Sequence, residues 1–201
     1  MWIKTQYVCR LIAYGASVSD VHVRLRAFMQ VYEPISIADW ALICPRWAPF
    51  RAKPATPILR EGDVCGHVYF LDAGLARYRY LDAEGVDRTK FFTEPPCVFT
   101  AQRSFNAGGP SREAITAVTT CEGSRIGRAD TDALLAAVPA FATFVRKLVA
   151  EVQGFTEDIL AEAQTMTAEE RYARMLTERP TLLRDLPLKY LASYLGVAPP
   201  Q

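Results

Sequence analysis

Histidine is scarce in this sequence, with only His22 and His67 among 201 residues. A transition-metal site in a β-roll needs about three converging His or carboxylate ligands, so a cupin-like metal enzyme is poorly supplied. An excess of charge is also missing, since 23 Lys and Arg stand against 22 Asp and Glu. The chain as a whole therefore lacks the basic footprint of a nucleic-acid binder. Cysteine is sparse, and Cys9, Cys44, Cys65, Cys97 and Cys121 are odd in number and widely spaced. That pattern excludes a disulfide framework and a Cys-x-x-Cys metal knuckle. No apolar run reaches the roughly 18–20 residues of a bilayer span, because Lys4, Arg10 and Asp20 interrupt the N-terminal stretch. Met1 to Ser19 holds no clean apolar segment followed by a small-residue cleavage site, so a cytoplasmic protein without membrane contact is expected. Gly-x-Ser-x-Gly elbows, Gly-Lys-Ser phosphate loops and His-Glu-x-x-His helices are missing. No catalytic residue, metal or cofactor is expected.

What the sequence has is a core, since half of it is apolar and 22% is charged, the balance of a globular chain. Residues 1–20 carry little pattern and are set apart as a leader. Val21, Leu25, Phe28, Met29 and Tyr32 recur at three-to-four spacing and predict a short amphipathic helix. Ser36 is placed to cap a second one running through Ala38, Trp40, Ala41 and Ile43. From about Arg51 to Arg128 the period falls to two, with turn signals at Glu61-Gly62-Asp63, Asp72-Ala73-Gly74 and Asp82-Ala83-Glu84-Gly85. His67 to Leu71, Leu75 to Leu81, Val86 to Thr93, Ala114 to Thr119 and Cys121 to Ile126 read as strands. Tyr78 and Tyr80 alternate with Arg77 and Arg79, giving that strand one aromatic and one basic face. Pro95 to Arg112 reads as a loop.

Asp130-Thr131-Asp132 opens a short helix that Val138-Pro139 ends. Beyond it Phe141, Val145, Leu148, Val152, Phe155 and Ile159 step by four and three, and Met166 lies on the same line. This heptad seam calls for a partner helix, although Phe144, Val149 and Leu160 would widen it into an ordinary core face. Near the C-terminus Pro187 suits the first turn of a helix. Leu188, Leu191, Ala192 and Leu195 form the stripe of that helix, and Gly196 supplies a positive-φ exit.

Several stretches carry a likeness: Ile58-Leu59-Arg60-Glu61-Gly62-Asp63, Val68-Tyr69-Phe70-Leu71-Asp72-Ala73-Gly74, and Pro110-Ser111 ahead of Ile115 and Ala117. More specific are Ala168-Glu169-Glu170-Arg171-Tyr172-Ala173-Arg174-Met175-Leu176 and the run from Leu186 to Val197. With the order of elements, these resemble the Crp/Fnr transcription regulators over residues 21–201. The resemblance implies an α+β fold. Short N-terminal helices precede an antiparallel β-roll (a double-stranded β-helix like a cyclic-nucleotide-binding domain), then a long dimerisation helix and a partial helical helix-turn-helix domain. It divides the chain into the leader at 1–20, an effector-sensing roll at 21–138, the dimerisation helix at 139–165 and an incomplete winged helix-turn-helix at 166–201.

The implied partners are a second copy of the chain along the seam from Phe141 to Ile159, DNA in the intact parent protein, and a small anionic effector. The recognition helix would begin after Val197-Ala198-Pro199-Pro200, so this chain is expected to lack it, as a fragment or as a shortened relative. A lone compact monomer, or a tail packed back onto its own roll, would overturn this reading. The cyclic-AMP-binding members carry Gly-Glu-Leu and, about ten residues later, Arg-Ser or Arg-Thr. Thr100-Ala101-Gln102 and Ser111-Arg112 stand in those places here. The arginine is displaced by one position, which on a strand turns it to the other face. Cyclic AMP is therefore not the expected effector, and Thr100, Gln102, Arg103, Ser104, Ser111 and Arg112 are candidates for another anion. The oxygen-sensing members cluster cysteines near the N-terminus, where this chain has Cys9 alone. The alternative is a sensor and dimerisation module that does not itself bind DNA.

Overall fold

The computed structural model describes residues 21–198; the leader at 1–20, and Pro199 to Gln201, lie outside the described residues. Helix α1 (Val21–Tyr32) buries Leu25, Phe28 and Met29, as the three-to-four spacing predicts. Helix α2 (Ile37–Ile43) starts where expected, because the Ser36 hydroxyl accepts the Asp39 N–H at 3.0 Å. That bond satisfies one of the free donors of the first turn.

The strands are β1 (Ala48–Ala52), β2 (Pro57–Leu59), β3 (His67–Ala73), β4 (Ala76–Leu81), β5 (Asp87–Thr93), β6 (Cys97–Phe99), β7 (Ala114–Ala117) and β8 (Cys121–Gly127). They form two four-stranded sheets, in the orders β1-β8-β3-β6 and β2-β7-β4-β5, with antiparallel pairing. The class is α+β, with helices gathered on one face and at one end of an antiparallel roll. Gly74 sits at φ +97°, and a Cβ there would strike the Thr120 carbonyl oxygen, so the β3–β4 turn requires glycine.

The segment from Pro95 to Arg112, expected to be loop, contains β6 and a short helix, α3 (Gln102–Ala107). Both escape a periodicity argument because three strand residues and six helical ones are too few to show a repeat. Helix α4 (Arg128–Ala137) follows β8 directly and leads through Val138 into α5 (Pro139–Thr165). Met166 falls outside α5, in extended backbone. Three shorter helices complete the fold: α6 (Ala168–Glu178), α7 (Pro180–Asp185) and α8 (Leu188–Leu195). Pro187 stands just before α8, as its N-cap and not within its first turn.

Three apolar cores hold these parts. Leu25, Phe28, Met29, Ile43, Leu134, Phe141 and Phe144 from the helices join Phe70 and Ile126 from one sheet. Tyr69, Leu71, Tyr78, Phe99 and Ile115 fill the space between the sheets. The alternation along β3 serves both, since Phe70 faces the helices while Tyr69 and Leu71 face the interior. Met175, Leu182, Leu186, Leu191 and Leu195 form a third core that also includes Leu75 and Phe92 of the roll. Each large side chain buried in this way contributes about 1.5–3 kcal/mol before entropy is counted. No single helix among the described residues is long and apolar enough to cross a membrane.

Candidate functional site

The interior of the roll is packed with aromatic rings. Tyr69 lies stacked on Phe99 at 5.0 Å and meets Phe50 edge-on at 4.9 Å, while Tyr78 stacks on Phe91 at 4.2 Å. The Tyr78 hydroxyl donates to the Thr100 carbonyl at 2.9 Å. Burial raises its pKa well above the usual phenol range, reinforced by Glu113, Cys97 and Cys65. The group is thus a neutral donor, and a ligand entering between the sheets has to displace rings that already fit one another.

The six residues expected to receive an effector lie around the end of this interior, and they divide. The Thr100 hydroxyl donates to the His67 carbonyl at 2.9 Å and lies 3.3 Å from the Cys65 thiol. Ser104 donates to the Gly109 carbonyl at 2.6 Å and accepts the Cys65 N–H at 2.9 Å. Ser111 donates to the Glu113 carbonyl at 2.7 Å and accepts the Glu113 N–H at 3.2 Å. These three hydroxyls hold backbone together, Thr100 and Ser104 meeting at Cys65. Gln102, Arg103 and Arg112 are exposed, so the structure does not gather the six into one cavity.

The cation that does reach this region is Arg128, which the sequence reading missed. Its guanidinium donates to the Cys65 and Ser104 carbonyls at 3.2 and 3.3 Å and to the Asn106 carbonyl at 3.4 Å, and it lies over the Phe105 ring at 4.8 Å. It ties α3 to the start of α4. Nothing in its sequence context distinguishes it from its neighbours Arg125 and Arg112.

His22 and His67 stay apart. The His22 ring bonds the Trp47 carbonyl at 3.1 Å, and His67 lies 6.0 Å from the Tyr69 ring. Burial and then the nearby Arg125 lower the His67 pKa. Among the described residues no three His, Cys, Asp or Glu side chains converge as a metal cage. Cys65 and Cys121 are buried, and burial pushes the Cys121 thiol up to about 11, where it is inert as a nucleophile.

The expected pairing seam on α5 also divides. Phe141 is 2% exposed and belongs to the chain's own core with Phe144, while Val145 and Leu148 pack against the same cluster. Phe155 meets Phe91 of β5 edge-on at 6.1 Å, and Ile159 lines a small cleft with Met175 and Tyr194. Phe141 is thus committed to the chain's own core: α5 lies across the helices and β5, and its bulkiest side chains are drawn into the roll's own packing. The apolar residues left facing out are Val149, Val152 and Leu160, at 41%, 37% and 58% exposure. Only Val152 lies on the predicted line; Val149 and Leu160 lie one residue round from it.

The tail of α6 to α8 packs on the roll, the arrangement set above against the regulator reading of the sequence. Arg179 is buried and its guanidinium meets Glu94 at 2.5 Å, donating also to the Phe92 carbonyl at 3.4 Å. Phe92 faces the Tyr194 ring at 5.7 Å. The Ser193 hydroxyl accepts the Thr89 N–H at 2.9 Å and donates to the Asp87 carbonyl at 3.2 Å. The physical reason is the outer face of β4 and β5, which offers Arg77, Thr89 and Phe92 to α8. Of the expected helix-turn-helix stripe, Leu191, Ala192 and Leu195 are buried, Leu188 is 65% exposed, and Gly196 closes α8 at φ 74°.

No protein-family model matches the sequence, and no curated protein matches it. Solved structures do. FixK2 from Bradyrhizobium japonicum aligns with a TM-score of 0.64 at 20% identity, over 76% of this chain and 78% of its own. CLP of Xanthomonas campestris, described as a c-di-GMP responsive global regulator, gives 0.63 at 13%, over 81% and 86%. The catabolite activator protein of Thermus thermophilus gives 0.55 at 21%, over 83% and 80%. These structural neighbours are Crp/Fnr-family regulators with a cyclic-nucleotide-binding fold, and the fold of this chain is similar to theirs.

Proposed function

We propose that this chain is a transcription regulator of the Crp/Fnr type, or the sensing and pairing part of one, working in the cytoplasm without catalysis. The roll receives a small effector other than cyclic AMP, α5 pairs with a second copy, and α8 is the first helix of a helix-turn-helix through which DNA is read. The observation that carries this reading is α5 itself. It is a 27-residue helix joining roll to tail, with an unpartnered apolar stripe at Val149, Val152 and Leu160. Against the reading stands the tail packed on its own roll, so reading DNA requires α6 to α8 to leave that surface. The exposed Arg103 and Arg112 and the hydroxyls committed to backbone support excluding cyclic AMP, whose buried phosphate needs a cation and free donors.

A specific observation favours the second reading, a sensor and dimerisation module that does not itself bind DNA. The arginines of the tail are engaged inside the chain: Arg174 with Glu162 and Glu178, Arg179 with Glu94, Arg184 with Asp185, and Arg171 with the Tyr194 and Leu195 carbonyls. Phosphate binding relies on cations free to displace the counterions condensed on DNA, and paired arginines contribute little of this.

Sedimentation of the full chain and its titration onto duplex DNA at two salt concentrations separate the readings. A dimer whose DNA affinity falls steeply with salt supports the DNA-binding regulator. A dimer with no salt-dependent affinity supports the module. A monomer overturns both.

A further inference from the structure

The hairpin of β4 and β5 has two faces with different duties. Tyr78 and Phe91 point inward and stack at 4.2 Å. The register between the strands shifts, with Tyr78 opposite Phe91 but Arg79 opposite Thr89, so Lys90 is an extra residue. Without that bulge Thr89, two residues from Phe91, would share its inward face. With it, Thr89 turns outward beside Arg77, and the Arg77 Nε donates to its hydroxyl at 2.7 Å. Both then face α8. The Thr89 N–H reaches Ser193 at 2.9 Å, and its hydroxyl approaches the Tyr190 carbonyl at 3.4 Å. The bulge thus builds a polar docking strip for a helix about a hundred residues further along the chain.

We propose that this hairpin is a latch, an autoinhibitory contact that holds the unit of α6 to α8 against the roll and withholds the face of α8 bearing Tyr190, Ser193 and Tyr194. The unit is joined to α5 by an ion pair, Arg174 with Glu162, and by a short link. Its link to α5 is an extended pair, Met166 at φ −111°, ψ 142° and Thr167 at φ −68°, ψ 165°. Helix α6 needs nothing from α5 to start, because Thr167 and Glu170 form a reciprocal capping box. Within the unit, Arg171 holds the end of α8 through the Tyr194 and Leu195 carbonyls. Across to the roll the grip has an apolar part, Leu75 and Phe92 in the third core, and a polar part, the bonds at Thr89 and Asp87 and the Arg179–Glu94 pair. Water can replace the polar part at a small net cost, so the apolar part alone has to be exposed on release. The inference stands on this geometry and not on the DNA reading above, so its test uses no nucleic acid.

Amide hydrogen exchange on the full chain provides the test, comparing the natural protein with a Thr89→Val/Ser193→Ala double variant and with Glu94→Gln. Glu84→Gln, at the exposed tip of the hairpin, serves as control. Amides of residues 168–195 are expected to exchange about tenfold faster in the double variant and in Glu94→Gln. Those of β3 and β8, and every amide of the control, are expected to keep their rates. Tail rates unchanged in both variants would overturn the latch. So would parallel acceleration of β3 and β8, which would make the tail an integral part of the roll.

Discussion

The Arg77 guanidinium on β4 lies 4.3 Å from the centre of the Tyr190 ring on α8, with an Asp87 carboxylate oxygen 2.5 Å away. Arg77 is 4% exposed, so its charge is held by one carboxylate, one hydroxyl and one aromatic face. Arg77→Met keeps much of the bulk and removes the charge. It is expected to lower the unfolding free energy by about 1–3 kcal/mol, the worth of a charged hydrogen bond together with a cation–π contact. Urea denaturation checks this, and an unchanged midpoint would show that Arg77 holds nothing.

Pairing along α5 predicts a contrast between two neighbouring faces. Val152→Glu places a charge on the outward stripe and is expected to yield a folded monomer by sedimentation and circular dichroism. Phe141→Glu puts a charge into a packed core and is expected to abolish folding, since an unpaired buried carboxylate costs several kcal/mol. A Val152→Glu protein that still dimerises would move the pairing surface elsewhere.

Loss of the Thr167 cap is expected to be local. Thr167→Ala removes a hydroxyl that accepts the Glu170 N–H at 3.2 Å, at a cost of about 1 kcal/mol. Exchange should quicken in the first turn of α6 and not in α1 or β3.

Stability is expected to decline in mild acid through His67. Its pKa is lowered in the folded protein by burial and by Arg125, so the unfolded chain takes up a proton first as pH falls below about 6.5. Proton uptake by the unfolded state lowers stability on the acid side and leaves it intact above that range. Thermal melts at pH 7.5 and 5.5 should show a smaller acid shift in His67→Gln than in the natural protein. Equal shifts would assign the acid sensitivity to other groups.

The ring stack inside the roll predicts that its interior and the tail communicate. Phe91 stacks on Tyr78, touches Phe155 of α5 edge-on, and shares a strand with Thr89. Phe91→Ala is expected to cost about 3 kcal/mol and to speed exchange in α8 as well as in β4. Acceleration in β4 alone would separate the interior from the tail.

Much of this was legible in the residues. Leu25, Phe28 and Met29 face the core because their spacing matches a helical turn, and Ser36 and Gly196 end their helices for local reasons of bonding and φ. The strands from His67 to Ile126 follow from a period of two between turn signals. The short elements β6 and α3 were hidden because three strand residues and six helical ones are too few for a period to show. The candidate effector hydroxyls were legible as residue types only, and their commitment to backbone carbonyls depends on which loops meet at Cys65.

The amino-acid order by itself determined the longer elements and the apolar surplus on the long helix, because local periodicity and capping act within a turn or two. It could not say which side of that helix is covered at home, since Phe141, Val145 and Val152 look alike along a heptad line. Packing decided it: Phe141 and Phe144 fill space left by α1 and α4, and Val149, Val152 and Leu160 remain outside. Tertiary structure alone also decided that Arg77 and Thr89 meet Tyr190 and Ser193, because a bulge at Lys90 turns a side chain through half a strand period and no local signal says what will lie across from it.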